Sequence, residues 1–227
     1  MMKKKHRTIP GKRALRRYKT EVKRLRRQID RLTSQPCQIV EPVDDAGLVR
    51  PPTAAMIFGS EIEAIRNYVL QYPNLETGGS LYGWYSESGL PIIALVTGPG
   101  RNAMHHEVRF HADEAYSFAM GNAIVEYGLQ HVGEWHSHHK INLNRPSGVD
   151  CDAMRTSLAS PNSPVGRFLC GIANIVGNEV TFNAYYFSRG NGDAYSHTPL
   201  VVKNGCSPLR TGLKGRIEAI ERKGGLS

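Results

Sequence analysis

The sequence predicts an α+β fold or a three-layer α/β/α sandwich built around a mixed β-sheet, preceded by a basic helix at the N-terminus. Its 227 residues suffice for one domain with a large core and a modest extension. Hydrophobic residues make up 40% of the chain, as is typical of a globular protein. After residue 54, segments of helical periodicity are mixed with strand pairs joined by short turns, a pattern that favours this fold class.

The positive charge of the chain is concentrated in residues 1–34, here called the basic arm. The basic arm holds fourteen Lys and Arg against two acidic residues, and the remainder holds fifteen basic against eighteen acidic residues, a net charge of −3. From residue 12 to residue 34 the apolar side chains follow a heptad seam, which predicts a helix. The seam residues are Leu15, Tyr18, Val22, Leu25, Ile29 and Leu32. Such a helix packs on its own domain or binds an acidic partner, because like charges crowd its flanks.

Pro, Asp and Gly are frequent in residues 35–52, which predicts a linker. The predicted organisation is therefore the basic helix with its linker over residues 1–50 and a folded domain over residues 51–200. Residues 201–227 are expected to form a tail with a short helix over residues 213–223.

The first helix of the domain is predicted from Ser60 to about Tyr72, because Ser60 and Glu63 match a capping box. Its expected buried face consists of Ile62, Ile65 and Val69. The later elements follow from periodicity and turn residues. In chain order they are a hairpin of strands 79–85 and 91–97, a short strand near Val108 and Phe110, a helix over 113–127, a strand over 131–138, a helix from Ser147 to about Leu158, and a hairpin of strands 167–176 and 179–187.

Neither a membrane span nor a secretory signal is apparent in the sequence, so a cytoplasmic location is expected. The four cysteines lie far apart and form no CxxC pair, which argues against a disulfide framework or a cysteine zinc site. They are Cys37, Cys151, Cys170 and Cys206, and we expect reduced thiols.

A candidate metal site lies in the sequence GEWHSH, which ends at His138, and in the SGVD that follows. Side chains alternate along a strand, so His136 and His138 share a face, separated by two rises of roughly 3.3 Å. Asp150, in the first turn of the helix that begins at Ser147, is the natural third ligand. Three protein ligands leave the fourth tetrahedral position of zinc to water. Each signal by itself is also common without a metal, since Ser-x-x-Asp is an ordinary helix start.

Neighbouring side chains are weaker candidates. Cys151 is turned about 100° from Asp150 on the helix, which favours a packed thiol. His139 alternates to the opposite strand face, and Trp135 is expected in the core. His105, His106 and His111 lie around a strand–helix junction and could approach the site, but surface or packing roles are expected for them.

The pattern resembles the JAMM, or MPN+, metallopeptidase family, whose motif is an upstream glutamate, HxH, seven residues, Ser, two residues and Asp. The matching residues are Glu76, His136, His138, Ser147 and Asp150. The sequence ETGGSLYG from Glu76 is similar to the strand that carries the family glutamate, and GEWHSH is similar to the bacterial JAB branch. The resemblance covers roughly residues 54–187. Two departures are the eight residues between His138 and Ser147, and His139 where proline is common.

The resemblance implies an MPN/JAB-like, cytidine-deaminase-like fold and zinc-dependent amide hydrolysis. In the family pattern His136, His138 and Asp150 hold Zn²⁺, Glu76 is the general base that passes its proton to the leaving amine, and Ser147 donates a hydrogen bond to the oxyanion. From residue types alone Glu134 is a rival base, because it shares the strand face of the histidines. Only the resemblance favours Glu76.

The substrate implied by the resemblance is a peptide or isopeptide bond at the C-terminus of a ubiquitin-like protein, within a bacterial conjugation system. The basic arm is then expected to bind the ubiquitin-like protein or an activating or conjugating enzyme of that system. No membrane partner is expected. Two alternatives stay open. The first is a metal-free MPN scaffold, which the intact ligand set disfavours. The second is a nucleic-acid-binding module acting through the basic arm, and the scarcity of aromatic residues among its basic residues makes this signal weak.

Overall fold

The computed structural model describes residues 51–125, 127–139, 142–159, 166–189 and 195–223, and six residues of the basic arm. Those six are helical and exposed: Arg16, Lys19, Thr20, Lys23, Arg24 and Arg27. The predicted heptad seam, the linker over residues 35–50 and Cys37 lie outside the described residues. No helix in the described ranges combines the length and the hydrophobicity that crossing a bilayer requires.

From residue 51 onward the described chain forms ten strands and four helices. The strands are β1 (Ala55–Phe58), β2 (Gly78–Tyr85), β3 (Pro91–Val96), β4 (Met104–His105), β5 (Phe110–His111), β6 (Gln130–Ser137), β7 (Arg167–Val176), β8 (Glu179–Ser188), β9 (Ser196–Thr198) and β10 (Leu200–Lys203). The helices are α1 (Gly59–Gln71), α2 (Glu114–Val125), α3 (Gly148–Ala159) and α4 (Pro208–Lys223). Both predicted hairpins, β2 with β3 and β7 with β8, are confirmed as antiparallel pairs.

Eight strands form one mixed sheet in the order β10-β1-β3-β2-β6-β7-β8-β9. The parallel pairs are β10 with β1, β1 with β3, and β6 with β7. Strand β6 lies inside the sheet between β2 and β7, and therefore has rigid neighbours on both sides. Strands β4 and β5 form a separate small hairpin. The mixed α/β fold predicted from the sequence is confirmed at this level.

Three groups of buried apolar side chains hold the helices on the sheet. Helix α1 buries Ile65 and Val69 in a cluster that includes Trp135 of β6. Helices α2 and α4 share a second cluster, in which Met120 and Leu213 are buried. Helix α3 packs in the third cluster, and its members are Cys151, Met154, Leu158, Phe168, Cys170, Ile172, Tyr185 and Phe187. The helix that carries Asp150 is thus fixed to β7, which neighbours β6, and to β8 beyond it.

The start of α1 differs from the sequence prediction. Its N-cap is Phe58, which comes directly from β1 and offers no side-chain cap. The capping box of Ser60 and Glu63 was therefore wrong, because the Ser60 hydroxyl donates to Glu61 and accepts from the backbone N–H of Ser207. Glu61, and not only the predicted apolar residues, belongs to the buried face.

The C-terminal segment is part of the folded core, whereas residues 201–227 were predicted to form a tail. Strand β10 pairs in parallel with β1 and extends the sheet, and α4 starts five residues before the predicted 213. Leu209, Leu213 and Ile217 of α4 are buried in the core. Strands β1, β9 and β10 escaped prediction because each is at most four residues long. So short a segment has too few side chains to show alternation.

Candidate metal centre

The two histidines of the HxH pair are held at the end of β6 by both neighbouring strands. His136 pairs with Gly78 of β2 and with Ile172 of β7. His138 follows the last residue of β6, and its backbone N–H donates to the carbonyl of Ala173 at 2.9 Å. The strand direction therefore continues through His138, and both imidazoles leave the same face as the alternation of side chains requires.

Ser137, between the histidines, fastens β6 to the segment that carries Glu76. Its backbone N–H donates to the carbonyl of Thr77 at 2.8 Å, and its hydroxyl oxygen accepts from the N–H of Thr77 at 3.0 Å. Ser137 is completely buried. These two hydrogen bonds therefore fix the position of the Glu76 segment relative to the histidines, although the two are far apart in the chain.

The side chains of His136, His138 and Asp150 converge on one point. The Nε2 atoms of the two histidines are 2.8 Å apart. Asp150 Oδ1 lies 3.2 Å from His136 Nε2, and Asp150 Oδ2 lies 3.3 Å from His138 Nε2. Among the described residues this is the group of His, Cys, Asp and Glu side chains that could hold a metal ion.

This donor set fits a zinc ion. Ligands at about 2.0–2.1 Å from a tetrahedral zinc ion lie about 3.3 Å from one another. Each imidazole Nε2 is at this distance from one Asp150 oxygen, at 3.2 and 3.3 Å, and the two Nε2 atoms, 2.8 Å apart, would separate by about half an ångström around the ion. The Nδ1 atom of His138 is 3.0 Å from the carbonyl oxygen of Leu143, which can only accept, so Nδ1 carries the proton. The Nε2 atom of neutral His138 then presents a lone pair to the centre, as a metal ligand must.

Asp150 is aimed by the residue that precedes α3. The backbone N–H of Ser147 donates to Asp150 Oδ2 at 2.7 Å and its hydroxyl donates to the same oxygen at 2.6 Å. The N–H of Asp150 returns a contact of 3.3 Å to the Ser147 hydroxyl. Helix α3 therefore starts with a reciprocal cap, and the cap fixes the orientation of the carboxylate.

The electrostatics of the three side chains favour an anionic Asp150. Burial alone would raise the pKa of Asp150, but the close contacts with His136, His138 and Ser147 outweigh it and hold that pKa well below its usual range. For His138, burial alone would lower the pKa, and the contacts with Asp150, Glu76 and the Leu143 carbonyl raise it above the ordinary value. The cluster is thus arranged to hold a positive charge.

Glu76 lies beside this cluster and is only 3% exposed. Its N–H donates to the carbonyl of His106 at 2.7 Å, and its carbonyl accepts from Nδ1 of His105 at 2.9 Å. The His105 ring in turn stacks on Tyr72. Burial raises the pKa of Glu76 to about 7, with a further rise from Asp150 and an opposing effect from His138. The β4–β5 hairpin therefore fixes the backbone of a carboxyl group that titrates near neutrality.

The other predicted candidates lie apart from the convergence point. Glu134 shares the strand face of His136, but its carboxylate lies 4.0 Å from Nε2 of His131, whose pKa burial lowers to about 4. Burial raises the pKa of Cys151, which packs in the α3 cluster as predicted. Trp135 is 1% exposed, and the prediction of a core role is confirmed. Of the described cysteines, Cys151 and Cys170 are buried thiols and Cys206 is an exposed one.

Three contributors were missed by sequence reasoning. His105 was expected in a surface or packing role, yet it binds the backbone of Glu76. The backbone carbonyl of Leu143 accepts from His138 Nδ1, and Asn174 donates to the same oxygen. The sequence gives a weak signal for Asn174, a polar residue within the otherwise apolar run of β7.

Comparison with known proteins identifies the family. Residues 60–187, more than half of the chain, match the family model described as prokaryotic homologs of the JAB domain. The chain belongs to this prokaryotic JAB family. The resemblance to JAMM, or MPN+, proteins stated from the motif is therefore confirmed at the level of the family.

Individual relatives of this JAB chain are distant. A protein of Sinorhizobium fredii, described as "Probable metalloprotease y4qB", is 26% identical over 131 residues, which cover 53% of this chain and 77% of that protein. Protein DSY2949 of Desulfitobacterium hafniense, solved in solution, is 15% identical with a TM-score of 0.53 and covers 67% of this chain and 94% of its own. A Salinibacter ruber protein is 21% identical with a TM-score of 0.45, over 68% and 95%. The likeness to DSY2949 supports the fold alone.

Proposed function

We propose that this JAB chain is a zinc-dependent peptidase that cleaves a peptide or isopeptide bond at the C-terminus of a ubiquitin-like protein. The observation that carries the proposal is the convergence of two imidazoles and one carboxylate beside a buried glutamate. Membership of the JAB family and the similarity to a protein described as a probable metalloprotease support a metallopeptidase-like function. Zinc itself is inferred from the donor set, because two imidazoles and one carboxylate are common ligands of catalytic zinc.

His136, His138 and Asp150 are the proposed ligands, and Glu76 is the proposed general base. A bound zinc ion brings the pKa of water near 7 and polarises a carbonyl group. The pKa of Glu76, about 7, suits a carboxyl group that accepts a proton from water and releases it to a leaving amine near neutral pH. Burial of Glu76 limits exchange of that proton with bulk solvent.

Ser147 is the proposed donor to the oxyanion of the tetrahedral intermediate. Its hydroxyl donates to Asp150 Oδ2 at 2.6 Å, so it must turn to reach a substrate. The backbone N–H of Ser147 keeps its own 2.7 Å contact with the same oxygen. Asp150 therefore retains a donor while the hydroxyl turns, which makes the two roles of Ser147 compatible.

An extended C-terminal tail is the proposed form of the substrate. Exposed apolar side chains occur on the elements that hold the site: Met104 and Val108 belong to the β4–β5 hairpin, and Val149 precedes Asp150. A tail bound in extended form presents alternate side chains to such a surface while its backbone adds to a strand. These exposed residues support a peptide-like substrate, and the ubiquitin-like identity follows from the family resemblance.

The decisive test combines metal content with cleavage. Candidate ubiquitin-like fusions are offered to the wild type, to Asp150→Asn and to the control Asp152→Asn, each with and without a chelator. Asp152 lies on the same helix and forms an exposed pair with Arg155, so its replacement changes the charge equally without touching the cluster. The wild type and the control should contain zinc by elemental analysis and cleave, whereas Asp150→Asn should do neither. Cleavage that survives both the chelator and Asp150→Asn would refute the proposal.

The basic arm is proposed to bind the ubiquitin-like protein or an activating or conjugating enzyme of the same system. Its net charge contrasts with the mildly acidic remainder of the chain. Deletion of residues 1–34 should weaken binding of the ubiquitin-like protein or of that enzyme, measured by titration at two salt concentrations, while leaving cleavage of a short tail peptide unchanged. Unchanged binding would contradict this role, and salt-sensitive capture of nucleic acid alone would favour the nucleic-acid alternative.

A further inference from the structure

A buried asparagine binds the same backbone carbonyl as the His138 imidazole. Asn174 follows Ala173 in β7, and the carbonyl of Ala173 accepts the N–H of His138 at 2.9 Å. The side chain of Asn174 is 1% exposed, and its Nδ2 donates to the carbonyl oxygen of Leu143 at 2.9 Å. A polar side chain in the middle of an apolar strand therefore binds the loop that follows the HxH pair.

The Leu143 carbonyl is shared by Asn174 and His138. His138 Nδ1 donates to the same oxygen at 3.0 Å, and a carbonyl oxygen has two lone pairs, one for each donor. The position of this oxygen decides which nitrogen of neutral His138 carries the proton. If the carbonyl turned away, the Nδ1–H form would lose its partner, and Nε2 could take the proton and cease to be a ligand.

We propose that Asn174 is a positioning residue of the metal centre, which holds the Leu143 carbonyl and through it the tautomer and orientation of His138. The inference rests on the proposed function in one respect, namely that His138 is a metal ligand. Outer partners of this kind typically change metal affinity by about 10- to 100-fold when removed.

Asn174 is poorly suited to a purely structural role. Among the described residues, its buried Oδ1 has no hydrogen-bond partner. A buried oxygen without a partner costs stability, so leucine, which has a similar shape and no polar atom, should fit this position without loss of folding stability. The Leu143 carbonyl would still keep the donor from His138. If Asn174 positions His138, replacing it by leucine should lower metal affinity without lowering the free energy of unfolding. If its role is structural, the replacement should lower both.

The chain provides a matched control one residue further along the loop. The Tyr185 hydroxyl donates to the carbonyl of Asn144 at 2.7 Å. Tyr185→Phe therefore loosens the same loop but leaves the oxygen that His138 uses untouched. Comparison of Tyr185→Phe with Asn174→Leu distinguishes general anchoring of the loop from control of the Leu143 carbonyl.

The experiment measures zinc affinity of the full chain by competition with a chromophoric chelator. Asn174→Leu should weaken binding about 10- to 100-fold, Tyr185→Phe should stay within about 3-fold, and urea unfolding of the metal-free Asn174→Leu protein should match the wild type. Equal zinc affinity of wild type and Asn174→Leu would overturn the inference, as would a parallel loss of stability. Asn174→Ala replaces the leucine variant if that variant does not fold.

A second readout tests the inference without zinc. Long-range ¹H–¹⁵N spectra of the metal-free protein, recorded at increasing pH until the His138 signals stop changing, report which nitrogen of the neutral ring bears the proton. We expect the Nδ1–H form in the wild type and an increased Nε2–H fraction in Asn174→Leu. An unchanged tautomer ratio would overturn the positioning role. A wild type that has the expected tautomer but binds no zinc would instead refute the proposed function, so the two failures are distinguishable.

Discussion

Two buried glutamates, fifteen residues apart in the chain, have opposite surroundings. Glu61 is completely buried and forms a two-pronged ion pair with Arg210, through contacts of 2.8 Å and 2.6 Å. Its carboxylate also accepts from the N–H of Val96 at 2.7 Å. Glu76 is almost equally buried, yet among the described residues its carboxylate has neither a hydrogen bond nor an ion pair. Burial raises the pKa of Glu76 to about 7.

The surroundings of Glu61 and Glu76 show how one fold can use a buried glutamate either for stability or for chemistry. A buried carboxylate with a full set of partners, such as Glu61, contributes to the structure. A buried carboxylate without partners destabilises the folded state at neutral pH but can exchange a proton with a reacting group. The ion-pair partner of Glu61 comes from α4, so this bond joins α1 to the C-terminal segment.

Removal of the proton-accepting group of Glu76 should have the largest effect on catalysis. Glu76→Gln should lower kcat by about 10²- to 10⁴-fold, because an amide of the same shape cannot act as a general base. Zinc content should stay at the wild-type level, since Glu76 is not among the three converging ligands. Steady-state kinetics with a cleavable fusion and elemental analysis measure the two quantities.

Glu134→Gln is the matched control, because Glu134 is the rival base on the strand face of His136. Its kcat should lie within about 3-fold of the wild type, well short of the effect of a general base. The assignment of the base would be reversed if Glu134→Gln abolished turnover while Glu76→Gln retained it.

The buried ion pair of Glu61 and Arg210 should make a large contribution to the free energy of unfolding. Arg210→Met leaves the Glu61 carboxylate buried without its counter-charge, and should reduce the free energy of unfolding by about 3–5 kcal/mol. The variant also loses the bond from Arg210 to the carbonyl of Val96. Chemical denaturation followed by circular dichroism measures the loss.

A second arginine serves as the control for Arg210. Arg66 forms an exposed pair with Glu63 at 3.9 Å on α1, and Arg66→Met should change the free energy of unfolding by less than about 0.5 kcal/mol. Glu61→Leu combined with Arg210→Met should recover part of the loss, because no unpaired charge then remains. Equal destabilisation by Arg66→Met and Arg210→Met would show that burial of the pair is irrelevant.

The same contrast predicts a pH dependence for the metal-free protein. The pKa of Glu76 is raised from 4.5 to about 7 in the folded state, so between these values the folded state binds more protons than the unfolded state. Stability from this group is therefore present below pH 4.5 and is lost as the pH rises to about 7. A shift of this size corresponds to at most about 3 kcal/mol.

Glu76→Gln removes that titration. In the presence of a chelator, the variant should be more stable than the wild type at pH 8 by up to about 3 kcal/mol, and the two should converge near pH 4.5. Urea titrations across this range measure the difference. A constant difference at every pH would contradict an unpaired, titrating Glu76.

The elements of the site that local rules govern were predictable from the sequence. Alternation along β6 fixes His136 and His138 on one face, and the start of α3 fixes the direction of Asp150. The partner of Glu61 was beyond such rules, because Arg210 lies 149 residues away. Periodicity assigned the buried position to Ile62, yet Glu61 is the more deeply buried residue because its charge is paired there.

Hydrogen bonds from side chains to backbone carbonyl groups could not be predicted from the sequence either. Asn174 acts on a carbonyl group, and any residue type at position 143 would provide one. The hydrogen bond from His105 to the carbonyl of Glu76 has the same character. Pairing of β1 with β10 joins segments about 145 residues apart, and neither strand has enough residues to reveal its partner.

Loss of the hydrogen bond from His105 to the backbone carbonyl of Glu76 should have only a small effect. His105→Phe keeps an aromatic ring against Tyr72 but removes the donor to the Glu76 carbonyl. A hydrogen bond of this kind contributes about 0.5–1.5 kcal/mol, so kcat should fall by about 2- to 10-fold while KM and zinc content stay unchanged. His111→Phe, on the exposed strand β5, is the control and should have wild-type kinetics. A change in KM alone would assign His105 to substrate contact, whereas a fall in kcat alone shows that the position of the base depends on the hairpin.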